Sequence, residues 1–132
     1  MKRYLVLVTL VMIFFSGLTY ADSGVNLVGK WFVDWEGGRN HYKGFLYINK
    51  KISDSDYSGV LDLTYGDGKN IKQDAVITLK TPDTVVINCM NPSQPDWNPD
   101  NFYLTLKDNS MYGNSQDSKG VVGHKIVLKK ED

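Results

Sequence analysis

The chain has 132 residues, 15 basic and 15 acidic side chains, a formal net charge of +0 at pH 7 and a single cysteine. That length makes one domain, able to bury roughly two-thirds of its surface without disulfide support. One cysteine excludes an intrachain disulfide, and the absence of a basic block argues against a nucleic-acid partner, which needs a face that neutralises several phosphates.

Met1-Lys2-Arg3 is a short positive start, residues 4–15 are almost unbroken apolar, and Thr19-Tyr20-Ala21 ends in a small residue before Asp22. This is the layout of a secretory signal peptide over residues 1–21. A membrane anchor needs about 20 apolar residues, and no later segment approaches that, so no membrane span is expected after cleavage. Residues 22–132 form the expected mature domain, with 13 basic against 15 acidic side chains once Lys2 and Arg3 are removed. No cysteine stands at the cut, so a soluble product is expected, in the periplasm or, as the alternative, outside the cell. Cys89 reads as a small buried hydrophobe, although a lone thiol in an oxidising compartment can also link two chains.

The mature sequence is a series of short alternating runs divided by turn residues, which predicts an all-β domain. Strands are expected over residues 28–35, 43–50, 57–65, 71–81, 84–88, 102–107, 111–116 and 122–129, with a turn of helix near 25–27. Gly37-Gly38, Asp67-Gly68, Pro82-Asp83, Asp108-Asn109 and Ser118-Lys119-Gly120 supply the turns. About eight strands joined mostly by hairpin-length loops predict a single-domain antiparallel up-and-down barrel, because closure removes exposed edges. A two-sheet sandwich is the alternative.

Gly29-Lys30-Trp31, with Val28 before it, resembles the Gly-x-Trp start of lipocalin-like and avidin-like barrels, where the tryptophan packs across the closed end. The resemblance implies a barrel and not a ligand. Val33 stands where avidin-type barrels place a biotin-binding asparagine, and the only mature arginine, Arg39, is in the first hairpin and not late in the chain.

No catalytic signature is present: no GxSxG elbow, no phosphate-binding glycine loop, no HExxH and no CxxC. Asp34 and Glu36 share one face of a strand, but most of the 13 aspartates sit in turns, where their side chains cap the backbone. Asp54-Ser55-Asp56-Tyr57-Ser58-Gly59 matches the first half of a calcium loop, yet Tyr65 occupies the position of the bidentate glutamate; an acidic turn is the plainer reading. His124 falls on the inward face of the last strand, where a core histidine is expected, and His41 lies in a loop. Neither has metal ligands at suitable spacing. No metal, cofactor or enzymatic activity is expected.

The segment Asn91-Pro92-Ser93-Gln94-Pro95-Asp96-Trp97-Asn98-Pro99-Asp100-Asn101 is stiffened by three prolines, which limits the entropy lost on binding. Trp97 is either an interface anchor, since hot spots favour Trp, Tyr and Arg, or a plug for one end of the barrel. In an up-and-down meander the first and fifth connections share an end, which would gather Trp35, Arg39, His41, Tyr42, Asp96 and Trp97 on one rim. The expectation is a non-enzymatic periplasmic binding protein. Its most concrete form is an inhibitor or immunity protein that blocks a cell-wall-degrading enzyme or toxin with its loops, Arg39, His41 or Lys43 pairing with the target's carboxylates. The alternative is a lipocalin-like carrier with a cavity lined by Phe45, Leu61, Leu104 and Ile126. Outward Val60, Val76, Val86, Tyr103 and Val127 leave room for a homodimer.

Overall fold

The computed structural model describes residues 25–117 and 119–132; the leader expected over residues 1–21 lies outside them. Eight antiparallel strands follow in order: β1 (Gly29–Gly37), β2 (Asn40–Lys51), β3 (Asp56–Tyr65), β4 (Lys69–Thr81), β5 (Thr84–Met90), β6 (Asn101–Lys107), β7 (Ser110–Gln116) and β8 (Val122–Lys130). Each pairs with its sequence neighbours, and β1 returns to β8 through Trp31↔Lys130 to Trp35↔Ile126, so the sheet closes into a barrel and not a sandwich. The helical turn expected near residues 25–27 is irregular chain instead.

The period-two alternation of each strand explains the closure. Trp31, Val33 and Trp35 of β1, Leu46 and Ile48 of β2, Leu61 and Leu63 of β3, and Ile71, Ala75 and Ile77 of β4 all point inward and are buried. Val85, Ile87, Phe102, Leu104, Met111, Ile126 and Leu128 complete the interior from the other four strands. Side chains fill the middle of the barrel, as an eight-stranded barrel of this width allows. Charged residues alternate with them on the outer wall, Lys43, Asp62, Lys72 and Asp74 among them.

Turning such a sheet through a full circle forces close approaches. A Cβ at Gly44 would stand 2.0 Å from the Asp62 carbonyl oxygen, and one at Gly113 2.0 Å from that of Tyr103. Only glycine fits these inward positions, which let β2 and β7 bend sharply. Register shifts between Ile48 and Lys50, Leu79 and Thr81, and Asn114 and Gln116 add further bends.

The two ends of the barrel differ. At one end residues 25–28 fold under the strands: Trp31 Nε1 donates to the Leu27 carbonyl oxygen at 2.9 Å, and Lys130 Nζ donates to that of Asn26 at 3.0 Å. A shallow cleft of about 120 Å³ beside them is lined by Leu27, Trp31, Leu106, Asp108, Asn109 and Lys130, well below the size of a typical ligand pocket. The connections here are short. In the acidic turn 52–55, Ser53 Oγ and Thr78 Oγ1 donate to the Asp56 carboxylate at 3.3 and 3.1 Å, so that turn is held by its own hydrogen bonds.

Candidate binding site at the lid end of the barrel

The opposite end carries the first, third, fifth and seventh connections, and the fifth, residues 91–100, is the long one. It bends back over the barrel because both of its flanks are tied down. Ser93 N donates to the Lys72 carbonyl oxygen at 2.8 Å, and Lys72 N donates to Ser93 Oγ at 2.9 Å. At the far flank, Asp100 N donates to Gln73 Oε1 at 3.1 Å, and Cys89 N donates to the Asp100 carbonyl oxygen at 2.9 Å. Three prolines in this segment keep it from regular structure.

Trp97 therefore plugs the opening. It is half-buried, its ring centroid 5.5 Å from Tyr65 and 6.0 Å from Tyr42, and its Nε1 donates to Asp100 Oδ2 at 2.9 Å. Below the lid, Tyr42 stacks on Trp35 with centroids 4.5 Å apart and planes 27° apart, and the Trp35 ring meets Phe102 edge-on at 5.1 Å. Tyr65 and Tyr42 lie 5.1 Å apart, while Gln94 Nε2 donates to Tyr65 Oη at 3.0 Å and to the Asn70 carbonyl oxygen at 2.8 Å. Gly37 makes space for this cluster, since a Cβ there would collide with the Tyr42 ring at 2.2 Å and approach the Trp35 ring at 3.3 Å.

Two polar groups in this cluster are poorly matched to their surroundings. Trp35 retains only 6% exposure, and its Nε1 is the one buried side-chain polar atom without a hydrogen-bond partner among the described residues. Buried donors are almost always satisfied, so an unpaired one near the rim asks for an acceptor. Asp100 is the second. Its Oδ2 accepts from Trp97 Nε1 and from Gln73 Nε2, the latter at 2.7 Å. Burial raises its carboxyl above the usual range, while those two hydrogen bonds pull the other way. Burial also raises the Tyr42 phenol; a hydrogen bond with Asn40 opposes this, and the charges of Asp100 and Tyr65 add to it. Burial, and then Asp100, push the Cys89 thiol up, and Cys89 is enclosed in the core.

The residues expected on one rim separate into three groups. Trp35, Tyr42 and Trp97 come together as the aromatic cluster. Arg39 is exposed at the tip of the first hairpin, and Asp96 is exposed on top of the lid. His41 and Lys43 sit on the outer wall, where His41 Nε2 contacts Asp34 Oδ1 and Lys43 pairs in register with Asp34. His124 keeps the inward register of Ile126 and Leu128 but lies past the rim, beside Gly38, and is exposed; it is not a core histidine. Phe45 faces outward, 5.9 Å from Phe32 and under the Lys30 ammonium at 4.1 Å, so it lines no cavity, and Leu61, Leu104 and Ile126 are packed against core neighbours. Gln73, Tyr65 and Asp100 escaped the sequence reading as site residues. The signal for Gln73 was present, as a lone amide among the inward positions Ile71, Ala75 and Ile77.

No family model and no curated protein matches the chain. Several solved barrels are similar to it. A redesigned β-barrel, mFAP1, bound to DFHBI aligns over 79% of this chain and 94% of its own with 22% identity and a TM-score of 0.67. The barrel EF1p2_mFAP2b, bound to DFHBI, aligns over 85% of this chain and 97% of its own with 17% identity and a TM-score of 0.63. A de novo designed fluorescence-activating β-barrel aligns over 80% of this chain and 94% of its own at 12% identity, with a TM-score of 0.59. Identities this low establish a shared barrel fold.

Proposed function

We propose that this protein is a non-enzymatic binding protein of the cell envelope that takes a small ligand at the lid end of its barrel. The observation that carries this reading is the unpaired, buried Trp35 indole N–H within an aromatic cluster roofed by an anchored loop. Small-molecule sites are lined by apolar and aromatic side chains with a few converging polar groups, and Trp35, Tyr42, Tyr65, Trp97, Gln73 and Asp100 make such a set. That two similar barrels were solved with DFHBI bound supports small-ligand binding by this architecture. The charged outer wall suits an aqueous compartment, since a lipid-facing barrel presents an apolar band, and the signal-peptide layout of residues 1–21 favours a compartment outside the cytoplasm. The His41–Asp34 pair lies on the exposed outer wall, which fits binding better than catalysis.

The filled interior shifts the ligand from the barrel's middle to its mouth. Blocking a hydrolase or toxin with the loops is the second reading. It draws on exposed Val121 in the seventh connection, exposed Val122 at the start of β8 and exposed Arg39 in the first connection, at the same end of the barrel. Native mass spectrometry of the mature chain captured from an envelope extract separates the two. A bound small molecule that is lost with Trp97→Ala is the expected result. A stoichiometric protein partner with no small molecule would replace it with the inhibitor reading.

A further inference from the structure

Among the described residues Asp100 has no cationic partner. The ion pairs among the described residues are Lys30–Glu131, His41–Asp34 and Lys72–Asp62, all on the outer surface. Asp100 instead rests on two neutral donors, both on Oδ2, and its Oδ1 takes no hydrogen bond among the described residues. A carboxylate partly withdrawn from water gains when a positive charge meets it. Trp97 and Tyr42 lie close to it, together with Gln73 and Cys89, and aromatic ring faces carry negative electrostatic potential. An aromatic cluster whose partly buried carboxylate pairs with no basic side chain among the described residues is an environment that suits a diffuse organic cation.

We propose that the lid end binds an organic cation, a quaternary or methylated ammonium seated against Tyr42 and Tyr65 with Asp100 as its counter-charge and Trp97 as the movable wall. This rests on the small-ligand reading above and names the class of ligand. The three rings have centroids only 5.1–6.0 Å apart, so Trp97 fills the seat when the site is empty and must swing aside for a ligand. The anchors at Ser93 and Asp100 confine that movement to the residues between them. Lifting Trp97 also strips Asp100 of one of its two donors, so the open site presents a less satisfied carboxylate. A cation compensates that loss, whereas a neutral occupant leaves it standing and an anion is repelled. An oxygen on the same ligand would supply the acceptor that Trp35 Nε1 lacks.

The test titrates the mature protein with choline and tetramethylammonium, with 3,3-dimethylbutan-1-ol (the uncharged carbon isostere of choline), and with indole as a neutral aromatic. The indole N–H resonances of Trp35 and Trp97 are followed by NMR. Saturable shifts of both resonances with the two cations are expected, with the isostere at least tenfold weaker. Asp100→Asn, which keeps an acceptor for Trp97 and Gln73, should lose at least tenfold in choline affinity, about 1.4 kcal/mol, while retaining its fold by circular dichroism. Equal affinity for choline and its isostere in the unmodified protein overturns the cation assignment, whatever the variant does. Shifts with indole but not with the cations overturn it too, yet leave a small-ligand site in place. Silence from all four probes overturns both readings.

Discussion

Two tryptophans four residues apart on β1 show how differently the two ends of the barrel are built. Trp31 is buried at the closed end and gives its indole N–H to the Leu27 carbonyl. Trp35 is buried at the lid end, and its N–H has no acceptor among the described residues. The closed end has short connections, a segment folded under the strands and a satisfied donor. The lid end has a long proline-rich loop, an isolated carboxylate and an unsatisfied donor. Where local rules of satisfaction are met, the structure serves stability; where they are broken inside a well-packed frame, the departure is the feature on which the proposed binding site rests.

The sharpest way to break that comparison is to remove the indole N–H from each end in turn. Trp31→Phe should leave the Leu27 carbonyl without its donor and lose about 1–3 kcal/mol for the broken hydrogen bond, beyond the loss of ring volume. Trp35→Phe loses similar volume but also removes a donor that was already unpaired, so it should cost about 2 kcal/mol less than Trp31→Phe. Urea denaturation of both variants measures the gap. Equal costs would mean that Trp35 Nε1 is satisfied in solution, and the contrast between the ends would collapse.

A smaller effect is expected from the lid itself. Trp97→Ala removes a half-buried ring and one hydrogen bond to Asp100, which should destabilise the fold by about 1–2 kcal/mol. Its more telling consequence is access. Cys89 is 6% exposed and its backbone N–H is tied to Asp100, so a thiol reagent should modify the native protein slowly and the variant at least several-fold faster. Unchanged thiol kinetics would show that the loop stays shut without its tryptophan.

The architecture was readable from the sequence because each strand buries one face, and a buried face writes its period into the residues. The runs ending at Thr81 and Lys107 coincide with the ends of β4 and β6. What escaped was information that alternation cannot carry. Strand β2 is apolar on both faces, with Phe45 and Tyr47 opposite Leu46 and Ile48, so pattern alone could not decide which pair enters the core, and the expectation that Phe45 faces inward chose the wrong face. His124 has inward register, but only the position of the rim decides whether inward means buried. Trp97 could anchor a partner or plug the barrel, and that choice was made by Ser93 and Asp100 through hydrogen bonds to residues 21 and 27 positions earlier in the chain. Asp100 looked like one more loop aspartate because nothing in its neighbourhood along the chain reveals that Gln73 and Tyr42 lie close to it.

The finest probe of the lid end is the charge on Asp100. Its carboxyl is raised in the folded chain, burial being the main cause, whereas in the unfolded chain it titrates near its ordinary value of 3.8. The folded state thus holds this proton more tightly. Below that ordinary value the group is neutral in both states and contributes nothing to the pH dependence. As pH rises through the window between the unfolded and the raised folded value, the unfolded state ionises first and the stability due to this group falls, reaching its new level above the folded pKa. Asp100→Asn should abolish that fall. The variant should therefore gain on the unmodified protein as pH is raised from about 3 to about 7, and be at least as stable at the upper end. Urea midpoints across that range give the answer. A variant that loses ground with rising pH would mean that the hydrogen bonds from Trp97 and Gln73 outweigh burial and already satisfy the ionised carboxylate. The electrostatic demand that distinguishes the lid end from the closed end would then be gone.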